Sequence, residues 1–119
     1  MITVNCVFCE RIQNGEYDAI GDKPEVVWFE PLNPVAPGHL LFVTSHHVES
    51  AITGPYEAAM AVESAASYAK VNGLTSCNLI TSAGIEATQT VFHLHVHLVP
   101  RRANDGLALP WTHPRNENR

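Results

Sequence analysis

Gln89-Thr90-Val91-Phe92-His93-Leu94-His95-Val96-His97-Leu98-Val99-Pro100-Arg101 is the stretch on which the reading of this chain turns. Histidine stands at 93, 95 and 97, and Phe92, Leu94, Val96 and Leu98 fill the alternate places, which is the two-residue period of a half-buried β-strand. The imidazoles then share one face and the apolar side chains the other. Pro100 ends the strand because it has no N–H to give to a ladder. Successive strand residues rise about 3.3 Å, so neighbouring histidines stand about 6.6 Å apart and the outer pair about 13 Å apart. One metal ion can take two of them, and all three only under strain. Solvent-facing strand positions are ordinarily Thr, Ser, Lys or Glu. A row of the side chain whose unperturbed pKa lies nearest neutrality points instead to proton transfer, nucleophilic attack or metal binding.

Working outward, residues 82–90 form a loop whose hydroxyls, amide and Gly84 offer the donors and backbone freedom to cradle a phosphate. Residues 77–81 before it read as a strand, with Cys77 a buried thiol that has no partner cysteine near it in sequence. Thr53-Gly54-Pro55 starts a helix, proline in the first turn losing nothing by its missing N–H, and Asn72-Gly73 stops it. Between them Ala59, Val62, Ala66 and Ala69 recur at helical spacing, small enough to lie close on a sheet. Residues 26–29 and 39–43 read as two strands joined by a loop stiffened by Pro31, Pro34 and Pro37 and ending in Gly38, which puts His39 first in the second strand.

Cys6-Val7-Phe8-Cys9 opens a short helical turn that Asn14-Gly15 ends. The pair has three readings: half of a zinc site, a redox couple, or two small buried side chains. A thioredoxin-type couple belongs between a strand and a long helix in a parallel pattern that this terminus lacks. Zinc needs two further ligands, and histidine is the available kind.

At 119 residues, 45% hydrophobic and 16% charged, the chain reads as one globular domain over residues 1–119, able to bury about two-thirds of its unfolded surface. A net charge of -5 argues against nucleic acid as a partner. No apolar run approaches the ~20 residues of a membrane span, and no basic-then-apolar signal opens the chain. Three cysteines make a disulfide framework unsuited, so a cytoplasmic protein with free thiols is expected. Residues 104–119, rich in Pro, Asn and charge, read as an extended tail, with the domain core at about 6–111.

The histidine row with its flanks, Gln89-Thr90-Val91-Phe92 before and Leu98-Val99-Pro100-Arg101 after, resembles the signature of the histidine-triad (HIT) family of nucleotide-binding hydrolases and transferases. Pro37-Gly38-His39 and its spacing to His47 resemble the same family. The resemblance implies an α+β, HIT-like fold: an antiparallel sheet of about five strands with one main helix and one short helix. It implies a homodimer that extends one sheet across the interface, with Trp111 either reaching the neighbour or anchoring the tail locally. In the zinc-binding bacterial branch the ligands match Cys6, Cys9, His47 and His93, a closed structural site; His46 is one place off, and His47 is favoured. The middle histidine of the family's triad attacks phosphorus, which makes His95 the nucleophile of a covalent nucleotidyl-imidazole. His39 and His97 flank it as phosphate donors or as partners that hold its tautomer. Gln89 and Thr90 become phosphate ligands, and Val27, Phe29 and Leu41 the walls of an apolar base cleft.

The chain departs from the family pattern at Ser82, where asparagine is usual, and at Ala87-Thr88, near a second glycine. Pro31 stands where many relatives place the aspartate that binds the ribose, leaving Glu30 or Asn33 to substitute, and Thr44-Ser45 replaces Pro-Lys. The expected activity is release of a nucleoside monophosphate, AMP first, from a phosphoramidate, acyl or polyphosphate leaving group. A purine nucleotide or its conjugate is the expected partner. With no carboxylate cluster, no catalytic metal is expected. Two readings from other classes compete: a nucleotide-binding module with little turnover, and a zinc protein whose histidines are ligands only.

Overall fold

The computed structural model describes residues 5–112; residues 113–119 of the expected tail lie outside the described residues. In chain order the elements are α1 (Val7–Gln13), β1 (Val26–Phe29), β2 (Leu40–Thr44), α2 (Pro55–Val71), β3 (Cys77–Ile80), a 3-10 turn (Ile85–Ala87) and β4 (His95–Pro100). The strands form one antiparallel sheet in the order β1-β2-β4-β3. The histidine strand is therefore central, paired on both sides.

The sheet has four strands among the described residues rather than about five. Beyond β1 a fifth is reduced to a single bridge, in which Asp18 and Trp28 exchange N–H to carbonyl bonds of 2.8 Å. Gly21, at φ 88°, and Pro24 turn the chain away before a ladder can extend.

Alternation along the strands separates two cores. Val26, Phe42, Val96 and Leu98 point to the face covered by α2, with Trp28 and Tyr68 packed beside Phe42. Val27, Phe29, Leu41 and Val43 point to the other face, where Phe8 of α1 closes over them. Helix α2 starts and stops at the punctuation its sequence carries. Pro55 sits in its first turn, and past Asn72 the N–H groups of Gly73 and Leu74 return to the carbonyls of Lys70 and Ala69. Its inward face differs from the one expected: Ala61, Ala65 and Ala69 are buried, whereas Ala59, Val62 and Ala66 are exposed. The sheet chooses the face, because Phe42 packs against Ala61, Ala65 and Ala69, and Met60 and Tyr68 of the helix join the same cluster. No helix among the described residues is long and apolar enough to cross a membrane.

Candidate active site and metal centre

The outermost of the three triad histidines is not in the strand. His93 precedes β4, fully buried, and its ring turns away into a cluster with Cys6, Cys9 and His47 whose ligand atoms all lie within 4.8 Å of one another. Cys6 Sγ stands 3.3 Å from His93 Nδ1, and Cys9 Sγ stands 3.5 Å from that atom and 3.4 Å from His47 Nδ1. The other nitrogen of His93 donates to the Thr44 carbonyl at 2.7 Å, which leaves Nδ1 with its lone pair toward the sulfurs. That is how a metal-ligating imidazole is ordinarily oriented from behind. Burial, opposed by the Thr44 bond and aided by repulsion from His47, His95 and His46, lowers the His93 pKa to about 4, so the ring is neutral, as a ligand must be. Burial also raises the Cys6 thiol; a divalent cation would supply the positive charge that favours thiolates. The cluster can hold a metal ion. His46 is exposed and takes no place in it.

The reactive row lies on the same face, one step along the strand. His95 Nδ1 donates to the backbone carbonyl of His93 at 2.7 Å. Its Nε2 therefore carries a free lone pair. His39 sits at the start of β2 because Gly38, at φ 85°, turns the loop against Pro100. The backbone N–H of Val35 donates to His39 Nδ1 at 3.1 Å, so the His39 proton is on Nε2, which donates to His97 Nδ1 at 2.9 Å. His97 must then carry its own proton on Nε2. Three imidazoles are thus held in defined tautomers, His39 and His95 by backbone groups and His97 by His39.

Burial is the first cause that lowers His39, His95 and His97, and repulsion from His95 and His39 adds to it at His97, whose pKa falls to about 4. All three are neutral at pH 7. The arrangement presents one nucleophilic nitrogen beside one N–H donor, and among the described residues no carboxylate bonds to it. Phe8 braces the row: its ring meets His95 at 5.2 Å and 90°, and Phe29 at 5.3 Å.

Other expected site residues are placed differently. Val27, Phe29 and Leu41 share the face of the histidines but are 0%, 5% and 5% exposed beneath α1, so no open apolar cleft exists there. Arg11 lies over Phe29, its guanidinium carbon 4.2 Å from the ring centroid. Gln89 is buried, and its side chain is spent on the loop: it accepts from Gly84 N–H and donates to the carbonyls of Glu49 and Val91. Thr90, Glu30 and Asn33 are exposed. Trp111 is half exposed, and Arg101 fastens the stretch before it through Asp105, Asn78 and the Leu107 carbonyl. Sequence reasoning missed Phe8, Thr44, Val35 and Arg11. Phe8 carried no local signal, since about 100° of helical turn per residue sets it roughly 160° from Cys6 and roughly 100° from Cys9; the Val35 and Thr44 contributions are backbone groups, which side-chain identity does not report.

An uncharacterized HIT-like protein, MJ0866, of Methanocaldococcus jannaschii is 30% identical over 117 residues, covering 93% of this chain and 90% of its own. The adenosine 5′-monophosphoramidase HNT1 of Saccharomyces cerevisiae is 30% identical over 110 residues, with 89% of this chain and 69% of that one covered. Among solved structures, a HIT family hydrolase from Clostridium thermocellum superposes with a TM-score of 0.71 at 30% identity, over 86% of this chain and 95% of that one. The model of the HIT domain matches residues 13–104, which takes in the whole sheet and the histidine row, and on that match the chain belongs to the histidine-triad family.

Proposed function

We propose that the protein is a hydrolase or transferase that releases a nucleoside monophosphate from a phosphoramidate, acyl or polyphosphate leaving group through a covalent nucleotidyl-His95. The observation that carries this reading is the bond from His95 Nδ1 to the His93 carbonyl, which leaves Nε2 unprotonated and aimed away from the backbone. Nε2 attacks phosphorus; as the N–P bond forms, the bond to the leaving atom breaks, and the leaving group takes its proton from water. Water then attacks the same phosphorus, releasing the monophosphate and returning His95 to its neutral form. His97 Nε2–H donates to a phosphoryl oxygen in both steps, and His39 acts through His97 by holding its tautomer. In this reading Thr90, which is exposed, meets a phosphate oxygen, Gln89 shapes the loop before the triad, and Glu30 or Asn33 meets the ribose.

Zinc is the ion we assign to the Cys6, Cys9, His47 and His93 cluster. Tetrahedral zinc with Zn–S near 2.3 Å and Zn–N near 2.05 Å separates sulfur from nitrogen by about 3.5 Å, and the sulfur-to-nitrogen distances here are 3.3 to 3.5 Å. Four protein ligands leave no open position, so its part is structural. The same reading makes the protein a homodimer: β1 carries the Asp18 bridge on its outer side, and β3 is the edge left to extend a sheet. A cytoplasmic setting would keep the cysteines reduced.

The test is release of AMP from adenosine 5′-phosphoramidate, with the parent and His95→Asn side by side. Release by the parent alone supports the reading. Equal release by both removes His95 as nucleophile, and AMP that binds without turnover moves the protein to the binding-module class.

A further inference from the structure

A cavity of about 580 Å³ lies on the face of the sheet opposite the histidines. Trp28 pairs with Phe42 and Phe42 with Val96, and these side chains turn to α2, whereas the next row, Phe29, Leu41 and His97, turns the other way. Helix α2 covers Phe42, Val96 and Leu98 at the centre of the sheet, and beside it β1 and residues 20–25 form the facing wall of the cavity. That wall is built in. The Ser45 hydroxyl donates to the Pro24 carbonyl at 2.5 Å and the Ser45 N–H to the Glu25 carbonyl at 2.8 Å, which ties the segment to the end of β2. The aromatic part of the lining is set as well, since Trp28 stacks on Phe42 with centroids 5.4 Å apart and meets Tyr68 at 5.6 Å and 66°.

The lining combines two chemistries. Val26, Trp28, Met60 and Tyr68 make it apolar and aromatic, and its charged members, Glu25 and Glu63, are both acidic and both exposed. The Ser67 hydroxyl holds Glu63, donating to Oε2 at 2.7 Å. The one ion pair among the described residues joins Arg101 to Asp105, so neither carboxylate is met there by a cationic side chain. A chamber of this volume is of small-molecule size. Angled aromatic rings attract a cation through their π faces, and carboxylates at the border add to that attraction while repelling anions.

We propose that this cavity is a second binding site, for a small organic cation made of an apolar body and a substituted ammonium group. The body packs on Trp28 and Met60, and the charged end lies toward Glu25 and Glu63. The assignment is independent of the nucleotidyl-transfer reading, because no residue of the histidine row or the metal cluster lines the cavity.

The probe is benzyltrimethylammonium, titrated into the full chain while the Trp28 indole N–H, assigned with a Trp111→Phe variant, is followed by NMR. Neopentylbenzene, its uncharged isostere, and phenylacetate are titrated in parallel. The expected result is a shift at Trp28 and ammonium binding about tenfold tighter than that of either comparison ligand. Glu25→Gln combined with Glu63→Gln, both surface changes, should remove the ammonium's advantage and leave the affinity for the isostere. Ser64→Phe, which fills the cavity from α2, should abolish binding of both. No shift at Trp28 with millimolar probe overturns the assignment, as does equal affinity for the ammonium and a comparison ligand, or an advantage that survives the glutamine pair. So does self-association, seen by sedimentation, that Ser64→Phe dissolves, because the cavity would then be a seam between copies of the chain.

Discussion

Val35 sets the protonation of His97 without touching it. Its N–H occupies His39 Nδ1, which forces the His39 proton to Nε2 and the His97 proton outward. Loss of the outward donor should cost about 10²-fold in kcat, the usual price of one preorganised donor on a developing anion, so His97→Ala is expected to fall by that much in steady-state assays. His39→Ala should fall by less, and the double variant should equal His97→Ala alone, because two residues that act in series do not add. Summed losses would show that His39 touches substrate itself. The acid side follows from the same pair. An unfolded histidine titrates near 6.5, while His97 in the fold titrates at about 4. Between those values the unfolded chain binds a proton that the native one does not, so the stability His97 contributes is complete above about pH 6.5 and drains away as pH falls toward 4. The thermal midpoint should drop between pH 7.5 and pH 5, and drop less in His97→Ala; equal drops would place the acid sensitivity elsewhere.

At the scale of elements, ends were easier to read than faces. The period of two located the central strand, and Pro55 with Asn72-Gly73 bounded α2, because a missing N–H and a left-handed stop act locally. The buried face of α2 was not legible. Alanine is as content outside as inside, and it is Phe42, from a distant part of the chain, meeting Tyr68 of the helix, that decides. Ala65→Leu should therefore destabilise by about 1–3 kcal/mol through overpacking, with Ala66→Leu within about 0.5 kcal/mol of the parent, in denaturant titrations; the opposite order would restore the face read from periodicity. The ligands of the metal cluster were legible by family spacing, but the burial of Phe29 was not, since it depends on where a seven-residue helix docks. The loop before the triad carries a third lesson. Thr88 sits at φ 70° where the family pattern favours glycine nearby, and a β-branched residue there is strained. Thr88→Gly should gain about 1 kcal/mol in the same titrations, and no gain would mean that the hydroxyl compensates.

For the whole molecule, the question is what keeps α1 on the sheet. Seven residues do not make a stable helix alone, and α1 covers the face on which Phe8 braces His95. Its cysteines flank Phe8 on either side in the cluster with His47 and His93, so a bound ion would tie the helix to the base of the triad strand, whereas β2 and β4 have α2 behind them. Removal of the ion with a strong chelator at neutral pH is therefore expected to act regionally. Amide exchange should accelerate at Glu10 and Asn14, whose N–H groups bond within and just past α1, and remain slow at Phe42 and Val96 in the buried centre of the sheet. Cys9→Ala should reproduce the pattern without chelator. If instead the entire sheet loses protection together, the ion is part of the global fold; if α1 keeps its protection when stripped of metal, Phe8 and its neighbours hold the helix unaided, and the cluster must then be assigned a purpose other than anchoring.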